Sequence, residues 1–84
     1  MAGEHKPHYD PHALDQMALR GISAAEMEFV LANSLHRRPS YNAREEIYGT
    51  APGGRTLKVV TVAGSDPPYV ITVMRIDPRR IRRT

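Results

Sequence analysis

The sequence contains no cysteine and no long run of apolar residues. Without cysteine the chain can form neither a disulfide framework nor a thiolate zinc site, which fits a reducing compartment. No apolar stretch approaches the roughly 20 residues that a membrane-spanning helix needs. The N-terminal segment MAGEHKPHYDP also lacks the apolar core of a signal peptide. We therefore expect a soluble, cytoplasmic protein that does not engage a membrane.

The length of 84 residues predicts a single small domain, residues 1–84, with one core. Its net charge of +3 is unevenly distributed, because the last ten residues, RIDPRRIRRT, carry +4 and residues 1–74 carry −1. Arginine suits contacts with phosphates and carboxylates, so this basic tail indicates a nucleic-acid or acidic partner. A solvated chain end is the alternative. We expect a leader (1–9) and the tail (78–84) to be flexible.

The first half of the chain predicts two short helices. Asp10 and Pro11 are typical of a helix start, and Gly21 suits the left-handed residue that closes a helix. Three apolar positions of this first helix are expected to face the core: Leu14, Met17 and Ala18. Ser23 and Glu26 have the spacing of a capping box at the start of the second helix. The apolar stripe expected on that helix comprises Met27, Val30 and Leu31.

After residue 35 the pattern changes from helical to extended. HRRPSYN is predicted as an edge strand because Pro39 cannot donate to an interior ladder. The segments REEIYGT, TLKVVTVAG and YVITVMRI follow as strands, separated by the turns APGGR and GSDPP. Leu57 and Val59 are expected to face one side of the sheet, and Lys58 and Val60 the other. The predicted fold is α+β, with two N-terminal helices packed on one face of a three- to four-stranded antiparallel sheet.

The first helix carries a polar stripe at intervals of four residues: His12, Gln16 and Arg20. A histidine aligned with an arginine can serve as an acid/base group beside a phosphate-binding cation. Such residues are also ordinary on a solvent-facing helix surface, so the spacing leaves both interpretations open.

Four N-terminal residues carry donor atoms that suit zinc: His5, His8, Asp10 and His12. Pro7 and Pro11 interrupt this segment, so no regular face presents all the histidines together. We expect neither a metal nor a cofactor. Adjacent Glu45 and Glu46 are expected on opposite sheet faces, which argues against a paired-carboxylate site. Three strand tyrosines, Tyr41, Tyr48 and Tyr69, could stack on bases or simply pack.

Four segments together resemble a family of small bacterial domains of unknown function: HALDQMALRGIS, EMEFVLAN, GRTLKVVTV and YVITVMRI. That family is similar to RelE-like toxins and is grouped with barnase-like, metal-independent ribonucleases. The resemblance covers residues 12–76. His12 and the run Arg20-Gly21-Ile22 match the motif. Gln16 stands where an arginine is usual, and Met74 where the last strand usually has a tyrosine, which puts full activity in doubt.

The resemblance implies an RNA-cleaving domain. His12 and Arg20 would be catalytic, and five residues would bind the substrate: Gln16, Lys58, Arg75, Arg79 and Arg80. The implied partners are RNA, including RNA on the ribosome, and a cognate antitoxin protein. This hypothesis requires His12 and Arg20 to open onto the same cleft as Arg75.

The alternative is a non-catalytic module that docks nucleic acid or a protein through its arginines. The departures at Gln16 and Met74 favour it, as does the absence of a second clear acid/base group.

Overall fold

The computed structural model describes residues 6–77, which form two helices and a five-stranded sheet. In chain order the elements are β1 (His8–Tyr9), α1 (Pro11–Arg20), α2 (Ala24–Ala32), β2 (His36–Ser40), β3 (Arg44–Thr50), β4 (Thr56–Val62) and β5 (Tyr69–Arg75). The strand order is β1-β5-β4-β3-β2, with β1 parallel to β5 and the other pairs antiparallel. The α+β class is confirmed. No helix in the described part is long and apolar enough to cross a bilayer.

The prediction of three to four antiparallel strands was wrong, because β1 adds a parallel edge strand. The Tyr9 position pairs with Val70, and the backbone N–H of Asp10 donates to the Val70 carbonyl at 2.9 Å. A strand of two residues is too short to show alternation in the sequence. The predicted leader therefore does not extend to His8 and Tyr9.

The predicted helix ends are confirmed. The Asp10 carboxylate accepts the backbone N–H of His12 at 2.9 Å, and Gly21 closes α1 with φ 64°. At the start of α2, Ser23 Oγ accepts the N–H of Glu26, whose carboxylate accepts the N–H of Ser23. These bonds satisfy amides that a helix start leaves without partners. They fix the turn between the helices.

Both helices pack on one face of the sheet. Their buried side chains meet those of the strands in one core, which comprises Ala13, Met17, Ile22, Met27, Val30, Ile47, Ala51, Leu57, Val59, Val70 and Val73. The apolar face predicted for α1 was partly wrong, since Leu14 is half exposed and Ala18 is exposed. Ala13, rather than Leu14, is the fully buried residue in the first turns of α1.

The alternation predicted for β4 is confirmed. Leu57 and Val59 are fully buried against the helices, whereas Lys58 and Val60 lie on the other face and are only partly buried. At Gly49 the sheet packs tightly against α2, because an added Cβ would lie 3.0 Å from Val30 Cγ1. Neither helix of residues 6–77 lies on the opposite face of the sheet.

Arg55 ties the helical layer to the start of β4. Its guanidinium donates to the carbonyls of Arg20 and Gly21 at 3.1 and 2.6 Å. It also forms an ion pair with the Glu26 carboxylate. The hydrogen bond from Arg55, followed by the one from the Ser23 backbone, holds the pKa of Glu26 below its ordinary value. One side chain thus joins the end of α1, the start of α2 and the sheet.

Replacing Arg55 with methionine should lower the free energy of unfolding by about 1–3 kcal/mol, because charged hydrogen bonds to partly buried acceptors are lost. Urea denaturation followed by circular dichroism measures the change. The control is Arg37→Met, since Arg37 is exposed and makes no ion pair with any residue in 6–77. Equal stabilities for the two variants would contradict this role of Arg55.

Candidate functional site

The sheet face opposite the helices, here called the open face, carries a cluster of polar side chains. Five residues form this open-face cluster: His36, Arg38, Glu46, Tyr48 and Lys58. The strand registers bring them together, because His36 lies opposite Tyr48, Arg38 opposite Glu46, and Tyr48 opposite Lys58. Side chains at paired positions share one sheet face and are close neighbours. The cluster therefore follows from the register of β2, β3 and β4.

The Glu46 carboxylate lies at the centre of the cluster. Its Oε1 accepts hydrogen bonds from Arg38 Nε at 2.9 Å and from the Tyr48 hydroxyl at 2.8 Å. Its Oε2 lies 3.8 Å from Lys58 Nζ. The Glu46 side chain keeps 17% of its surface exposed, and that of Arg38 keeps 50%. The carboxylate and both cations are thus reachable from solvent.

Tyr48 forms the floor of the cluster. It is only 6% exposed although neither α1 nor α2 covers this face. The Arg38 guanidinium lies 5.6 Å from the centre of its ring, and the His36 ring lies 5.8 Å away at 46°. The Nε2 atom of His36 is buried and has no hydrogen-bond partner in the described part of the chain. An unpaired polar atom of this kind is costly to bury.

The cluster sets the protonation of its members. Partial burial raises the pKa of Glu46, but hydrogen bonds from Arg38 and Tyr48 and the charge of Lys58 outweigh burial and lower it overall. Burial, followed by the hydrogen bond to Glu46, raises the pKa of Tyr48. The hydrogen bond to Glu46 raises the pKa of Arg38. At neutral pH the cluster therefore holds a carboxylate, a neutral phenol and a permanent cation.

The open face is positively charged around this single carboxylate. Arg38 and Lys58 share Glu46, and Arg44 lies two positions from Glu46 on the same face of β3. Arg44 is exposed and makes no ion pair within residues 6–77. A proton acceptor, an imidazole and cations suited to a phosphate thus lie side by side.

The helix stripe does not join this cluster. His12 lies at the start of α1, two residues after Asp10, whose backbone N–H donates to the Val70 carbonyl. Arg20 lies at the opposite end, where its carbonyl accepts from Arg55 next to the start of β4. Arg75 pairs with Leu57 at that same end. Val70 and Arg75 are five residues apart, or roughly 16 Å along a strand. The start of α1 and Arg75 therefore lie toward opposite ends of β5.

The other residues predicted for substrate binding are dispersed. Gln16 accepts a hydrogen bond from the Arg20 guanidinium, so these two members of the stripe contact each other. Lys58 belongs to the open-face cluster, whereas Arg75 shares the opposite face with Leu57. Arg79 and Arg80 lie outside the described residues. The roles assigned to all these residues stay predictions.

No three histidine, aspartate or glutamate side chains in the described part are close enough together to hold a metal ion. His5 lies outside that part. His8 is exposed in β1, and the Asp10 carboxylate accepts from the Tyr69 hydroxyl at 2.9 Å. Asp10 is thus engaged in capping α1 and holding β5.

Sequence reasoning gave no site role to three members of the cluster, His36, Arg38 and Glu46, and named Tyr48 only as a residue that could stack on bases or pack. The prediction that Glu45 and Glu46 face opposite sides of the sheet is confirmed, because Glu45 pairs with buried Thr61 and Glu46 pairs with Val60. The signal that could have found the cluster is a polar or aromatic residue at every second position of HRRPS and REEIY, which places these residues on one face of each strand. The pattern shows that the two faces meet only if the register between β2 and β3 is known, and the length of the loop between these strands did not specify that register.

A family model described as "Domain of unknown function (DUF4258)" matches residues 9–75, which is most of the chain and includes every helix, β2 to β5 and the open-face cluster. Neither the curated proteins nor the solved structures gave a match.

Replacing Tyr48 with phenylalanine should raise the pKa of Glu46, because the hydroxyl that stabilises its ionised form is removed. The shift can be followed by carboxyl carbon NMR during a pH titration. Tyr41→Phe is the matched control, since Tyr41 makes no hydrogen bond to the carboxylate. An unchanged Glu46 titration in Tyr48→Phe would show that this hydrogen bond does not tune the cluster.

Proposed function

The chain belongs to the DUF4258 family of domains of unknown function, and for this member we propose a RelE-like, metal-independent endoribonuclease whose site is the open-face cluster. One observation carries the proposal. The Glu46 carboxylate lies within hydrogen-bond distance of Arg38 and Tyr48, next to Lys58 and on the same face as His36. These groups can supply a base, an acid and phosphate-binding cations without any further component.

The reaction is a transesterification within RNA. Glu46 accepts the proton of a ribose 2′-hydroxyl, and the 2′-oxygen then forms a bond to the adjacent phosphorus. The bond from phosphorus to the 5′-oxygen breaks, and His36 in its protonated form donates a proton to that leaving oxygen. Arg38 and Lys58 bind the non-bridging oxygens as negative charge develops. The products are a 2′,3′-cyclic phosphate and a 5′-hydroxyl.

Binding of a phosphate would itself make Glu46 a better base. In the free protein, Arg38 and Lys58 stabilise the ionised carboxylate. A bound phosphate draws the same two cations toward its own oxygens, so Glu46 loses part of that stabilisation. Its affinity for a proton then rises when the 2′-hydroxyl is next to it. The ion pairs of the free protein are thus exchanged for contacts with the substrate.

Under this proposal a cognate antitoxin would be a protein that covers the open face with carboxylates, since the exposed cations Arg38 and Arg44 lie there. His12 and Arg20 remain the competing site. They are weaker candidates because they stand two turns apart, roughly 12 Å along the helix axis.

Purified protein should cleave single-stranded RNA in the presence of EDTA and leave cyclic phosphate ends. Glu46→Gln and His36→Asn should each lower kcat by about 10²–10⁴-fold. The matched control is Glu45→Gln, which makes the same chemical change on the other sheet face and should retain activity. His12→Ala should also retain activity. Cleavage is measured with end-labelled RNA, and circular dichroism confirms that each variant is folded.

Loss of cleavage in His12→Ala with full activity in Glu46→Gln would move the reaction to the helix stripe. RNA binding without cleavage would favour the non-catalytic module. The wild type then should lose affinity steeply with salt, with a log–log slope of about 0.7 per phosphate contacted on a single strand. Absence of both binding and cleavage would overturn the proposal.

A further inference from the structure

The hairpin between β2 and β3 presents an isolated aromatic residue at its tip. Tyr41 is 82% exposed. It makes no hydrogen bond or ring contact with another residue in the described part of the chain. The three-residue loop from Tyr41 to Ala43 joins the paired positions Ser40 and Arg44. Packing gives no reason for a large aromatic side chain at this place.

The backbone of the loop fixes the direction of this tip. Asn42 and Ala43 have φ of 62° and 57°, in the left-handed region. Alanine rarely adopts that conformation, so the strand pairing on either side must hold it in place. Tyr41 therefore stands at a defined position three residues from Arg38, or roughly 10 Å along β2.

Arg44 lies between the tip and the cluster. It occupies the first position of β3 and shares the open face with Glu46, two residues or roughly 7 Å away. Its exposed guanidinium has no ion-pair partner in residues 6–77. From the tip toward Lys58 the open face thus presents first the Arg44 guanidinium and then the Arg38–Glu46 ion pair.

We propose that the hairpin tip is a subsite for a nucleotide next to the cleaved phosphate. Tyr41 stacks on the base of that nucleotide, and Arg44 contacts its phosphate. An unpaired base is needed for stacking, so the substrate is single-stranded RNA rather than a duplex. This inference rests on the proposed ribonuclease function and adds a specificity-determining element to it.

Kinetics on two substrates test the subsite. On an unstructured oligoribonucleotide, Tyr41→Ala should raise KM roughly 5- to 100-fold and leave kcat unchanged, whereas Tyr41→Phe should match the wild type. On a dinucleotide with a single phosphodiester, which cannot reach the tip, Tyr41→Ala should match the wild type. One abasic position in the oligonucleotide should reproduce the effect of Tyr41→Ala, and the two changes together should not be additive.

The phosphate contact has its own test. Arg44→Gln should reduce the slope of log KM against log salt by about 0.7, the value for one phosphate on a single strand. Arg37→Gln is the control, because Arg37 pairs with Ile47 on the helix-side face.

If the wild type cleaves both substrates but Tyr41→Ala changes neither, or changes both equally, the subsite is wrong and the ribonuclease proposal stands. If the wild type cleaves no RNA at all, both proposals fall together.

Discussion

The packing of two helices against one face of the sheet is the constraint on which the rest of the molecule depends. Buried Leu57 and Val59 on β4 meet the helical layer, so the intervening Lys58 must face the other way. Within residues 6–77 both helices contribute to a single core on that face of the sheet. Arg55 strengthens this one-sided arrangement by joining both helices to the start of β4. Charged residues can therefore collect on the open face.

The electrostatics of the open face depend on Glu46 being the acceptor for several donors at once. Arg38, Tyr48 and Lys58 all approach its carboxylate, which lowers its pKa in spite of partial burial. A substrate phosphate offers the two cations an alternative partner. In the free protein the Glu46 carboxylate holds Arg38 and Lys58 in place. Under the proposed function these two cations would bind the phosphate, and Glu46 would be released to accept a proton.

Much of the fold could be predicted from the sequence, because local signals specify it. Asp10, Gly21 and the Ser23–Glu26 capping box act within a few residues, and alternation in β4 gives its two faces directly. β1 could not be predicted, since its two residues are held by β5 some 60 positions away. The open-face cluster was missed for the same reason. His36 and Lys58 come together only through the register of three strands, whereas the helix stripe was visible within one segment.

The most direct measurement is an NMR titration of the protein with an oligodeoxynucleotide, which has no 2′-hydroxyl and cannot be cleaved. Binding at the open face should shift the side-chain signals of His36, Arg38 and Lys58 and leave those of α1 unchanged. Shifts confined to His12, Gln16 and Arg20 would contradict the open-face site and place binding on the first helix.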